Sequence, residues 1–326
     1  MHISAAFTVQ SAKLAAVGGA LIGTLCVCRV IGKRGVLPSA TPVPLVTPSL
    51  ILGGYLVSKY LAPEGLMVDV GVSNAASSSK FALVASAALV GAGAKLGEGC
   101  TSGNGINGLA AMSKASLVFV ATFMAAGAVA ASMSASSVRI DVAAGDVDFP
   151  SKVIIFALMG IGAQFLQSGA SYEKGKFPTR AAHVAADVGA GLAFASALCI
   201  SGMAKKSKVL GFLDFAGEAG WDPSLMLVMG GALLVAFPTY QIMGLAREGS
   251  PYDISNLAVW TKRPINMLTV VSGIFFGCGW GLSGMCPGPA LVNTGLMSTD
   301  AAIFSGVMFL VRPVVEAFGN LQRKKD

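Results

Sequence analysis

From Pro264 to Thr299 the chain runs 36 residues without a charged side chain. A helix that crosses a bilayer needs about 20, so this stretch is too long to be one helix. Cys286-Pro287-Gly288-Pro289 also interrupts it. Proline lacks a backbone N–H and clashes with the preceding turn, so it breaks a helix interior. Within lipid, non-helical backbone survives only where protein or a cavity covers it. The stretch therefore reads as a helix, a break and a short half-helix. Charge is scarce elsewhere too: 12% of residues are charged and 54% hydrophobic, where a soluble domain carries about 25% charged residues. That balance excludes disorder, most soluble classes and, despite the net charge of +7, a nucleic-acid binder. The 41 glycines suit close helix packing in lipid.

Other uncharged windows of span length are Gly35 to Ser58, Ala115 to Val138, Val153 to Tyr172, Val188 to Ala204 and Pro223 to Ala246. The apolar run Leu14 to Cys28 follows Lys13 and precedes Arg29, Lys33 and Arg34 with no small-residue cleavage site, so it reads as a first span rather than a signal peptide. Positive loops (29–34, 173–180, 247–263 and the tail 323–325) alternate with negative ones (59–69, 139–148, 214–222) if each broken segment counts as one crossing. The expected fold is an all-α polytopic membrane protein of about nine crossings, with the C-terminus cytoplasmic. It forms one transport domain over 1–326, with pseudo-repeat halves of roughly 12–172 and 181–320. The cell membrane is the expected location, with an organelle membrane as the alternative. Lys205, Lys206 and Lys208 fall inside a crossing, which a re-entrant turn would explain.

The repeat is readable. Gly191-Leu192-Ala193-Phe194, six residues, then Ser201-Gly202-Met203 matches Gly273-Ile274-Phe275-Phe276, six residues, then Ser283-Gly284-Met285. A further break lies from Gly97 to Gly105, before the short stretch Ile106 to Met112. On the loop charges, the Cys100 and Cys286 segments run in opposite directions. Oppositely directed broken helices are how inverted-repeat transporters build a site near the midplane.

Both breaks can carry chemistry. A half-helix beginning at Pro287 points unpaired N–H groups and its positive dipole end at Cys286. A cysteine so placed is a better S–H donor; the alternative is a kinked packing helix with an inert thiol. At the first break Thr101 or Ser102 can cap the helix, and Gly103 and Gly105 permit close backbone approach. The alternative there is a tight crossing turn. Together the breaks would form a pocket for a small, soft anion. The candidate pathway residues are Cys100, Thr101, Ser102, Gly103, Asn104, Ser283, Cys286 and Gly288, with Cys26, Cys28 and Trp280 as further candidates. Three charged pairs read as helix neighbours: Lys95 with Glu98, Arg312 with Glu316, and His183 with Asp187. With two distant histidines, His2 and His183, and no Cys-x-x-Cys, neither a metal nor a cofactor is expected.

At Gly99-Cys100-Thr101-Ser102-Gly103 and at Gly279-Trp280-Gly281-Leu282-Ser283-Gly284-Met285-Cys286-Pro287-Gly288-Pro289, the sequence resembles the YeeE/YedE family of membrane proteins, whose studied members take up thiosulfate. Ser201-Gly202-Met203 followed by 208–214 also looks like a family segment. The resemblance spans roughly 15–318 and looks like two smaller units joined. It implies an hourglass of spanning and re-entrant helices with cysteines at the constriction. Cys100 and Cys286 match pathway cysteines, and Cys26 or Cys28 corresponds to one on an early helix. Asn104 stands where the family commonly has His, Asn107 where it often has Cys, and Ser207 where proline is usual. The expected function is transport of a small inorganic sulfur anion, thiosulfate first, without enzymatic chemistry. The alternative is a membrane sulfurtransferase that holds sulfane sulfur on a cysteine for a cytoplasmic acceptor protein.

Overall fold

A computed structural model describes residues 3, 7–31, 45–61, 79–134, 154, 157–158, 180–215, 220–242 and 263–323. The protein is all-α: the one strand-like contact among these residues is a single bridge between Ile3 and Trp221. The helices are α1 (Val9–Ile31), α2 (Val46–Leu56), α3 (Lys80–Leu96), α4 (Lys114–Ser134), α5 (Arg180–Ile200), α6 (Lys206–Leu213), α7 (Ser224–Ile242), α8 (Met267–Ser283), α9 (Pro287–Gly295) and α10 (Thr299–Arg323). A π-helical half-helix, Thr101–Gly108, stands between α3 and α4. Five segments are long and apolar enough to cross a membrane: Val9–Arg29, Lys80–Gly108, Lys114–Ser134, Ser224–Ile242 and Met267–Gly295. The expected nine crossings are not all represented among the described residues. The window Val153 to Tyr172 lies almost wholly outside them, as do most of the charged loops.

Helix α8 packs between α3 and α4, and α10 packs on α3. On the other side α1 packs on α7 and α5, and α2 packs on α5 and α9. These contacts map onto one another when α1 is exchanged with α5, α2 with α7, α3 with α8, the half-helix with α9, and α4 with α10. The α4–α8 contact then becomes α10–α3, and α1–α7 becomes α5–α2. A short echo accompanies the exchange, Leu50-Ile51-Leu52-Gly53-Gly54 in α2 against Leu227-Val228-Met229-Gly230-Gly231 in α7.

Backbone proximity holds these crossings. A Cβ on Gly279 of α8 would lie 2.9 Å from the backbone nitrogen of Val90 in α3. In lipid there is no hydrophobic force to draw helices together, so dense contact between small residues does that work. The same stop ends both α5 and α8. Ser201 Oγ donates to the Leu198 carbonyl and accepts from Met203 N–H; Ser283 Oγ donates to the Gly279 carbonyl and accepts from Met285 N–H. The intervening glycines are left-handed, Gly202 at φ 75° and Gly284 at φ 67°, a region glycine enters without a Cβ penalty.

The charged pairs follow the expected neighbours only in part. Lys95 reaches across to Glu316 at 3.0 Å instead of Glu98, and Glu316 also faces Arg312 on its own helix, as the spacing implied. Asp187 meets Arg29 of α1 at 3.3 Å, and the side chain of His183 lies outside the described residues. Spacing along one helix cannot reveal a partner that packing brings closer. Lys208 sits on the short helix α6 and donates to Asp222 at 2.8 Å and to Ser224 at 3.2 Å. That neutralises a lysine that looked misplaced within a crossing.

Candidate functional site

Each half-helix is preceded by an extended cysteine. Cys100 has φ −108° and ψ −157°; Cys286 has φ −88° and ψ 157°. Cys100, not Thr101 or Ser102, takes the capping position, and no side chain caps either helix among the described residues. Leading N–H groups of a helix have no partner within it and carry its partial positive charge. The first break is shorter than expected, because helix resumes at Thr101 rather than Ile106. Glu98 (φ 51°) and Gly99 (φ 156°) make the sharp reversal before it.

The two cysteines meet through Thr101. Its hydroxyl lies 3.8 Å from the Cys100 sulfur and 4.0 Å from the Cys286 sulfur. Ser102 Oγ lies 3.4 Å from the Cys100 sulfur. Cys100, Thr101, Ser102, Cys286 and Gly288 line one small cavity of about 20 Å³, room for roughly one water. Ile22, Phe194, Leu198 and Met203 are among its apolar walls. Sequence reading missed Ile22 and Phe194 as wall residues. Met203 carried a signal, since it ends the first copy of the Ser-Gly-Met repeat.

The remaining candidates are not on the lining of this cavity. Asn104 is fully buried and acts as a clip, its amide donating to the Gly97 carbonyl at 3.0 Å and its oxygen accepting from Ser116 at 2.9 Å. Gly103 belongs to the first turn of the half-helix, and Ser283 closes α8. Asn107 donates to the Ser102 carbonyl at 3.0 Å and accepts from the buried Tyr240 hydroxyl at 2.6 Å. Cys26 of α1 lies beside Asn107, whereas Cys28 is buried away from the cavity lining. Arg29, one turn beyond Cys26, is 1% exposed and engaged with Asp187; the cavity lining itself holds no Arg or Lys. Trp280 is buried against Phe123 and Phe276, with ring centroids 5.5 and 6.5 Å away.

Fold and site together define an integral membrane protein in which two half-helices bring cysteines to one buried cavity. Residues 182–326 match a family described as a family of unknown function (DUF6691). Two proteins of Xylella fastidiosa, each named "Probable transporter", are similar to the chain: 38% identical over 133 residues in strain Temecula1, and 37% over 131 in strain 9a5c. Each match covers 39% of this chain and 88% of the relative. The chain belongs to the family these two proteins represent. Both relatives are less than half its length. No solved structure matches it.

Proposed function

We propose that the protein transports a small sulfur-containing anion across the membrane, with thiosulfate as the first candidate. The observation that carries this reading is the junction of two uncapped half-helix ends at one cavity, each end headed by a cysteine and the two bridged by Thr101. Helix ends attract negative charge without a fixed cation. A lining free of Arg and Lys holds an anion loosely enough to release it, as conduction requires. Polarizable thiols favour a soft sulfur end over a hard oxygen ligand. The names of the Xylella relatives and the YeeE/YedE resemblance at Gly99–Gly103 and Gly279–Pro289 support the same reading. The paired helix contacts support a repeat of two units, with the site where the units meet.

On this reading the anion passes Cys286 and Cys100, then Cys26, each thiol donating transiently through S–H with nearby backbone N–H groups. The protein sits in the cell membrane with its C-terminus in the cytoplasm. The experiment is uptake of labelled thiosulfate by cells lacking other routes, in competition with unlabelled thiosulfate, sulfite, sulfate and chloride. Strong competition by thiosulfate and weak competition by chloride is the expected result. Equal competition by all four would rule out a sulfur-selective site. A stable persulfide on Cys286 without uptake would favour the sulfurtransferase instead.

A further inference from the structure

The indole of Trp280 is 1% exposed, and its N–H meets no oxygen or nitrogen acceptor among the described residues, only the Cys286 sulfur, a weak acceptor, beside it. A buried donor left without a strong acceptor destabilises a fold, and phenylalanine would fill much of the same slot without that cost. The ring cannot turn away easily. Phe123 meets it edge-on at 75°, Phe276 packs at 38°, and a Cβ on Gly127 would lie 3.3 Å from its edge. The fixed N–H lies beside the Cys286 sulfur, which lines the cavity at the α9 N-terminus.

We infer that Trp280 is a substrate ligand: its indole N–H donates to an oxygen of an oxyanion bound at Cys286. The inference rests on the proposed reading that an anion occupies this cavity, and deepens it by naming what the site selects. Thr101 Oγ1, 4.0 Å from the Cys286 sulfur, supplies a second donor in the same place. The anion's sulfur end would face the thiols, and an oxygen would face the indole. A site with a buried donor rejects ligands that lack the matching acceptor, because the donor is then left unpaired. The site therefore selects sulfur oxyanions over simple halides, and the uncharged indole contributes no fixed charge that would trap the anion.

The test uses the purified full-length protein and measures its unfolding midpoint and its affinity for thiosulfate, sulfite and chloride. Trp280→Phe keeps the ring and removes the N–H. Its unliganded midpoint is expected to equal or exceed that of wild type, while thiosulfate and sulfite bind about tenfold more weakly. Unchanged oxyanion affinity in Trp280→Phe, with wild type binding normally, overturns the inference and leaves the transport reading standing. Wild type that binds no oxyanion overturns both. If Trp280→Phe fails to fold, a Trp221→Phe/Trp260→Phe variant leaves Trp280 as the sole indole. Thiosulfate must then shift its emission, and an unchanged spectrum overturns the inference.

Discussion

Among individual residues, the cysteines gain meaning from position rather than number. Six are present, yet only Cys100 and Cys286 stand at a helix start on the cavity. Cys286 was legible because Pro287 and Pro289 make a helix restart there compulsory. Asn104 has a structural role that the motif did not show: Gly97 and Ser116 engage its hydrogen-bonding groups. Tyr240 was not legible at all, because its partner Asn107 lies 133 positions away and only packing brings them together. Tyr240→Phe leaves a buried Asn107 oxygen without its donor. A loss of about 1–3 kcal/mol is expected, read as a lower unfolding midpoint in detergent. A midpoint equal to wild type would show that the bond contributes nothing.

Among the elements, the half-helices and their stops carry the design. The Ser-Gly-Met repeat foretold two similar stops, and both use a serine clamp with a left-handed glycine. The first break was read as too long, because its run of glycines resembles a loop. Glycine disfavours a helix but does not forbid one, and the wide π-helical turn lets Thr101–Gly108 resume at once. Gly288 lies where a methyl group would come 3.3 Å from Leu198 and 3.4 Å from Phe194. Gly288→Ala should therefore fold and occupy much of the cavity. Uptake is expected to fall at least several-fold with little change in unfolding midpoint; normal uptake would mean that the cavity is not on the path. On α6, Lys208→Met leaves Asp222, 3% exposed, as a buried carboxylate without its cation, though Ser224 still donates to it. The expected cost is about 3–5 kcal/mol, again read from the unfolding midpoint. Lys208→Met/Asp222→Leu, which removes both charges, should recover most of it.

For the molecule as a whole, scarce charge announced a membrane protein, and one uncharged stretch located its break. Helix count and orientation were less accessible. They depend on loops and on how short apolar segments such as α2 and Val184–Ile200 share a span. The pairing of helix contacts, and relatives less than half the chain's length, support the proposed two-unit plan. Two units joined in one polypeptide can diverge, and here one half-helix is glycine-rich while the other begins with two near-adjacent prolines. The measurement that bears most directly on the proposed function is labelled thiosulfate uptake by Cys100→Ala, Cys286→Ala and, as a control, Cys278→Ala. Cys278 lies within α8, partly exposed and off the cavity lining. Uptake should fall at least tenfold in the first two at equal expression and remain at the wild-type level in the third. Equal uptake in all three would contradict a pathway through the paired cysteines.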